Sequence, residues 1–380
     1  MEKKRILVLV DWFAPGYKAG GPIQSCVNFS FAMKNDYSIY VLTTDTDHGE
    51  THPYAGITSG RWTNDMDPDI RVFYLEKTAV SAKRIREQID AVHADYVYLN
   101  HMWSPLFVLY PLWLKFSGRL KGEIVLCPRG ALYESALSVK RWKKKPILSL
   151  FRWLQLDKRI LFHATNERER SAILQHLPGS RVLIADNLPN MHQPPFKSLP
   201  KERGNLRCIF IARIVPIKNL QFLLGALEKV KAEVKLSIIG PIEDQAYWKE
   251  CTQKIAQLPA NIKVDYLGPM RNDELMAILQ HHHLFALPTT GENFGHSIFE
   301  ALLAGRPVLI SDQTPWLGLA GQKAGWDLPL ADPDAFTRVI EDVAQQDQEV
   351  FDYWAQSAWT YAHKFIKNPE LHGQYLKLFA

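Results

Sequence analysis

At 380 residues, with 47% hydrophobic and 22% charged content, the chain is long enough for two domains and too apolar for intrinsic disorder. Its net charge of +5 is local: residues 140–159 hold Lys140, Arg141, Lys143, Lys144, Lys145, Arg152, Lys158 and Arg159 against Asp157 alone, leaving the remainder at −2. With no accompanying recognition motif, that distribution argues against a nucleic-acid partner, and no run approaches the roughly 20 apolar residues that span a bilayer.

In chain order, MEKKR precedes a five-residue apolar run that ends near Asp11, too short for a signal-peptide core and better read as a buried strand over 6–10. Residues 11–21 form a loop with Pro15, Gly16, Gly20 and Gly21, and Pro22 suits the first turn of the helix that follows. Strands are predicted at 38–43, 71–75, 95–99, 123–127 and 181–185, with a long polar stretch before 70. Helices are predicted at 80–92 and at 104–116, the latter capped by Ser104. Asn166 and Glu169 have capping-box spacing ahead of a helix to about 176. Asn100 and His101 end one strand, and Arg129 follows another, placing all three at carboxyl ends where an α/β sheet binds ligands. After Pro146, Ile147, Leu148, Phe151 and Leu154 recur at helical spacing beside the lysines, a pattern suited to an anionic membrane surface and equally to a helix with one buried face.

Pro189, Pro194, Pro195 and Pro200 mark a linker over 191–200, separating a first domain at 1–190 from a second at 201–361. The final helical segment, from about 362 to 380, is expected to pack back on the first domain. In the second domain, strands are predicted at 207–212, 234–239, 263–267, 284–287 and 308–310. Asn219 is placed to cap a helix to about 231, and 272–280 is a further helix. The alternation implies two Rossmann-like, doubly wound α/β domains. Cys26, Cys127, Cys208 and Cys251 form no CxxC pair and read as reduced core residues of a cytoplasmic protein. His281, His282 and His283 cannot all face one ion and are read as cations at a helix end.

Residues 288–307 carry the densest chemistry. Glu292 lies in a loop, Gly295 at a helix entrance whose dipole favours an anion, and Glu300 within the helix. Eight residues of helix span roughly 12 Å, about the reach of a sugar diphosphate. Arg213 and Lys218 follow the first strand of the same domain, where they can neutralise phosphate.

Arg213, Lys218 and the Glu292-to-Glu300 block GENFGHSIFEALLAGRPVLISD resemble the retaining family 4 glycosyltransferases, with closest likeness to enzymes of bacterial surface-polysaccharide assembly. The resemblance covers essentially the whole chain, and Gly20–Gly21 looks like that family's glycine loop. It implies the GT-B fold, with the two domains facing a central cleft. It also implies a nucleotide-sugar donor, with UDP favoured, and a glycan or lipid-linked acceptor. By resemblance, Arg213 and Lys218 hold the diphosphate and Glu300 the ribose. Glu292 with Asn293, Phe294, Gly295 and His296 contacts the sugar, while Gly268 and Met270 flank the base. Glu292 orients hydroxyls and is not a covalent nucleophile. The first-domain histidine of many members aligns with Asn100, a departure that leaves Asn100, His101 and Arg129 as acceptor-side candidates. Neither metal nor cofactor is expected, and the inner face of the cytoplasmic membrane is a possible location.

Competing readings are a metal-dependent GT-A enzyme using Asp45-Thr46-Asp47, a non-catalytic nucleotide-sugar sensor, and a nucleotide-sugar epimerase. A dinucleotide reading of the glycine loop with Asp45 or Asp47 fails on spacing.

Overall fold

The computed structural model describes residues 3–138, 141–191 and 194–380, in two compact units: Met1–Pro189 with Pro369–Ala380, and Asn190–Asn368. Lys140, at the head of the basic window, and His192 and Gln193 in the proline-rich segment lie outside the described residues.

Among the described residues the first unit has eight strands: β1 (Arg5–Leu9), β2 (Ser38–Thr44), β3 (Trp62–Asp67), β4 (Ile70–Leu75), β5 (Tyr96–Asn100), β6 (Glu123–Cys127), β7 (Leu161–Ala164) and β8 (Arg181–Ile184). They form one sheet in the order β3-β4-β2-β1-β5-β6-β7-β8, parallel except where β3 meets β4. β1 and β5 are apolar almost throughout because both sheet faces are covered. β3 falls in the stretch read from sequence as polar and irregular. Its residues are mostly polar and none is buried, as an antiparallel edge strand permits. β7, only four residues long, was not anticipated either.

The second unit holds β9 (Asn205–Ile211), β10 (Glu233–Ile239), β11 (Ile262–Gly268), β12 (Leu284–Leu287), β13 (Val308–Ser311) and β14 (Gly325–Leu328). All pairings are parallel, in the order β11-β10-β9-β12-β13-β14. The winding reverses between β9 and β12, the switch point at which loops splay apart and leave room for a ligand. The same reversal occurs between β1 and β5 in the first unit.

Segment 191–200 is not a free tether where described. Phe196 and Leu199 pack on Phe351 and Ala355, and the Lys197 carbonyl accepts from the Arg306 guanidinium. The helix Gln348–Ile366 stays with the second unit, whereas Glu370–Leu378 joins the first, where Tyr375 packs against Phe29 and His163.

Local expectations are corrected at three places. Asn219 sits at the cap position of helix Leu220–Leu227 with φ 59°, and its side chain makes no capping bond. Asn166 does cap, accepting from Glu169 N at 2.8 Å, but the Glu169 carboxylate does not complete the box. It is fully buried and takes Gly130 N at 2.5 Å, Thr165 N at 2.8 Å and Thr165 Oγ1 at 2.6 Å. The third correction is the histidine run. His282 and His283 are buried, with Nδ1 of His282 donating to the Ile278 carbonyl and Nε2 of His283 donating to that of Pro200. Burial pushes them down to about 4 and about 3, so both are neutral at pH 7 and are not helix-end cations.

Glu169 ties the turn after β6 to the end of β7. Glu169→Ala withdraws an acceptor from two buried backbone N–H groups, each costing about 1–3 kcal/mol. A drop of about 2–5 kcal/mol in unfolding free energy is expected by chemical denaturation, and an unchanged midpoint would contradict the assignment.

Candidate functional site

The residues that follow β9 and β12 meet at the switch point of the second unit. Pro216–Lys218 makes a short 3-10 turn, and the loop after β12 is tied to it twice, with Thr290 N at 2.8 Å and Thr289 Oγ1 at 2.9 Å both donating to the Ile217 carbonyl. On the far side, Ser311 Oγ donates to the Thr289 carbonyl and Glu292 N to that of Gln313. These ties bring Lys218 Nζ onto Glu292 Oε2. With side chains 13% and 17% exposed, the pair is far less screened than a surface ion pair. Thr289, Ser311 and Gln313 were missed by sequence reasoning, since nothing local marks them.

Arg213 is placed differently. Its guanidinium is engaged by both Glu243 carboxylate oxygens, at 2.9 and 2.8 Å, beside the short bridge that pairs Ile214 with Ile242. It therefore lies in the region after β9, and among the described residues no hydrogen bond or ion pair joins it to the Lys218–Glu292 pair. Gly240, also missed from sequence, is required where β10 ends: its φ is 142°, and a Cβ there would stand 1.9 Å from the Ala212 carbonyl oxygen. Its N–H donates to the Gly268 carbonyl, which locates the Gly268 turn at the same edge, with Met270 packed against the core just beyond.

Gly295, at φ 79° and ψ 65°, turns the chain into the helix His296–Leu303 and aims that helix's positive dipole end at the loop. A Cβ there would meet Ile298 Cδ1 at 2.7 Å and Glu292 Cγ at 3.1 Å, so glycine is needed for space as well as for conformation. Phe294 is locked beneath, its carbonyl accepting from Trp316 Nε1 at 2.5 Å and its ring packed against Trp316, Phe299 and His296. Asn293 and His296 flank it and remain partly exposed. Glu300 sits in the second turn, half-buried, with no hydrogen bond to its carboxyl among the described residues. Burial alone pushes that carboxyl up to about 8.

In the first unit, Gly20 has φ 69° and caps the helix Gly21–Met33, with Pro22 next. Asp47 braces the approach to it, accepting from Tyr17 N at 2.8 Å and Lys18 N at 3.2 Å, while Asp45 accepts from Lys77 N at 3.0 Å and Ser59 Oγ at 2.8 Å. Both aspartates are buried, so they hold loops and are not presented as a metal-binding D-x-D pair or as a ribose acid. Asn100 and His101 separate. His101 is exposed at φ 70°, whereas Asn100 is 2% exposed, with Oδ1 accepting from Arg129 Nε and Nη2 and with Nδ2 unpartnered. Arg129 also donates to Asn187 Oδ1 and to Tyr98 Oη. Its guanidinium is committed to neutral acceptors, which makes it a brace for Asn100 more than an open anion receptor. Across this unit's switch point, Ser104 Oγ donates to Asp11 Oδ1 at 2.8 Å, joining the ends of β1 and β5.

An unfolded Glu300 ionises near its ordinary value of 4.5, whereas the folded one keeps its proton to about 8. Between those values the folded state binds more protons, so the contribution of this group to stability is lost as pH rises through the window. Glu300→Gln should remove that decline and melt higher than the wild type at pH 8 when no ligand is present. Parallel pH dependences of Tm for the two proteins would contradict the assignment.

Residues 205–346 match the model of the family "Glycosyl transferases group 1". An uncharacterized glycosyltransferase of Methanocaldococcus jannaschii, MJ1607, is 29% identical over 328 residues, covering 80% of each chain. Anabaena Alr3699/HepE, solved with UDP and glucose, superposes with a TM-score of 0.71 at 16% identity over 98% of each chain. WaaG, a glycosyltransferase involved in lipopolysaccharide biosynthesis, gives 0.63 at 14% identity over 99% of this chain and 98% of its own. The structural likenesses establish two parallel-sheet α/β domains of the GT-B type, and the similarity to glycosyl transferases of group 1 lies within the second of them.

Proposed function

We propose that the chain moves a sugar from a UDP-sugar to a glycan or lipid-linked glycan acceptor, with retention of anomeric configuration and without a metal, in polysaccharide assembly at the inner face of the cytoplasmic membrane. One observation carries the donor reading: a half-buried Lys218–Glu292 pair stands before the Gly295 helix entrance, with the partnerless Glu300 carboxyl in the same helix. A cation, a positive dipole end and an unsatisfied carboxyl in that order match a diphosphate flanked by two polyols. The HepE complex with UDP and glucose supports UDP as the nucleotide, and WaaG's involvement in lipopolysaccharide biosynthesis supports a glycan acceptor.

In this reading the incoming diphosphate replaces Glu292 as the partner of Lys218, and Arg213 reinforces it on exchange from Glu243. The released Glu292, with Asn293 to His296, then takes up sugar hydroxyls, so donor arrival assembles the sugar subsite. Glu300 accepts from the ribose hydroxyls, which supply the partners its carboxyl lacks and so favour its ionised form on binding, and Gly268 and Met270 border the base. Gly20 and Gly21 are the first unit's donor-side candidates by resemblance. Asn100, with its unpartnered Nδ2, and His101 serve the acceptor side, and Arg129 holds Asn100 in place.

Transfer breaks the bond from the anomeric carbon to the leaving phosphate oxygen and forms one from that carbon to the acceptor oxygen on the same face. The departing phosphate takes the acceptor's proton. Lys218, Arg213 and the helix entrance, already paired with the diphosphate once the donor is bound, stabilise the charge that grows on it as the bond breaks.

UDP-glucose and related UDP-sugars should raise Tm by mass action in a panel that also contains GDP- and ADP-sugars. Lys218→Ala should weaken UDP-sugar binding about 10- to 150-fold by calorimetry, from a charge-assisted bond of about 1.5–3 kcal/mol. Unchanged affinity would remove Lys218 from the donor site.

A further inference from the structure

The helix Arg141–Trp153 begins before Pro146 and carries that proline within it, five residues earlier than the sequence pattern indicates. The longer helix has two apolar stripes. Ile147, Leu148 and Phe151, with Leu154 just past the end, pack on the first unit's core, and Phe151 is 3% exposed. That is the buried face expected of any surface helix. The opposite face holds Trp142, Pro146, Leu150 and Trp153, which at about 100° per residue fall within an arc of roughly 80°. Trp142 and Trp153, at 73% and 78% exposed, are the two most exposed large apolar side chains among the described residues, and Leu150 is 50% exposed.

Cations border this outer stripe on both sides. Lys143 lies along one edge, its Nζ 4.8 Å from the Trp142 ring centroid, and Lys145 lies along the other together with Arg152, which is exposed while its Nε donates to the His176 carbonyl at 2.6 Å. The helix contains no acidic residue, and no ion pair of Lys143 or Lys145 is present among the described residues. Lys144 is turned inward, donating to the Ala136 carbonyl at 2.7 Å, and so takes no part in the outer face.

Indole rings combine an apolar body with a polar N–H and settle at the depth of lipid headgroups, and flanking lysines are drawn to anionic lipid. We propose that this outer stripe docks the chain on an anionic lipid bilayer: Trp142, Leu150 and Trp153 enter the interface while Lys143, Lys145 and Arg152 meet lipid phosphates. A protein partner would match the apolar stripe equally well, but the double cationic border selects a surface of spread negative charge. The proposal sharpens the membrane placement above and is independent of the donor site, because vesicle binding requires no sugar.

The full chain is sedimented with vesicles of phosphatidylcholine, with or without phosphatidylglycerol. Binding is expected only when phosphatidylglycerol is present, weakening as salt is raised. The variant Trp142→Ser with Leu150→Ser and Trp153→Ser, and separately Lys143→Glu with Lys145→Glu, should each lower partitioning about tenfold or more. All these positions are exposed, and thermal unfolding checks that each variant keeps the wild-type fold. The proposal is overturned by failure of the wild type to sediment, by equal sedimentation with pure phosphatidylcholine, or by wild-type partitioning of either variant. Self-association that the serine variant abolishes, without vesicle binding, would instead assign the stripe to a second copy of the chain.

Discussion

The second unit's site depends on a single constraint, the double donation from Thr289 and Thr290 to the Ile217 carbonyl. Strands β9 and β12 are neighbours in space but separated by more than seventy residues of chain, and the loops leaving them would otherwise diverge at the switch point. Fastening one loop to the other brings a lysine and a glutamate together in a half-buried setting. It also fixes the distance from that pair to the helix entrance at Gly295. Gly240 and Gly295 serve the same end by different means: one lets two strand ends approach backbone to backbone, and the other turns the chain into a helix without a Cβ striking Ile298. The aromatic packing of Phe294, Phe299 and Trp316 then supports the loop from below.

The first unit solves a similar problem with buried polar groups. Arg129 is held by Asn100, Asn187 and Tyr98, and Tyr98 Oη lies 2.8 Å from His163 Nδ1. His163 Nε2 donates to the Ala185 carbonyl, and burial pushes His163 down to about 3, so this imidazole is a neutral link. The network connects the carboxyl ends of β5, β6, β7 and β8 with neutral hydrogen bonds around one guanidinium. Such an arrangement fixes position more than it lowers energy, because a buried cation without a carboxylate partner is costly on its own.

What the sequence made legible follows from the range of the interactions. Glu292, Gly295 and Glu300 lie within nine residues of one another, and strand, loop and helix there follow directly from local pattern. The long apolar strands β1, β5, β9 and β10 are legible for the same reason. The Arg213–Glu243 pair, the reach of Glu169 to Gly130, and the commitment of Arg129 to Asn187 are not, because each partner lies tens of residues away. The histidines show the limit of a local rule. Helix-end position suggests a cation, yet three-dimensional burial, invisible in the string HHH, makes His282 and His283 neutral. β7 and β14 are too short to show a period, and β3 alternates too weakly to be told from a polar loop.

One consequence concerns the order in which the molecule can be made. Residues 369–380 are part of the first unit: Tyr37 Oη donates to the Phe379 carbonyl, Tyr96 Oη to the Ala380 oxygen, and the Phe379 ring packs against Phe29, Tyr37, Tyr96 and Tyr98. A ribosome emits those residues after the entire second unit. The first unit, though translated first, waits with an apolar seam open along Phe29 and Tyr98 until its last segment arrives. The second unit, contiguous in sequence, has no such wait, so the half of the molecule synthesised later is the one that can close first.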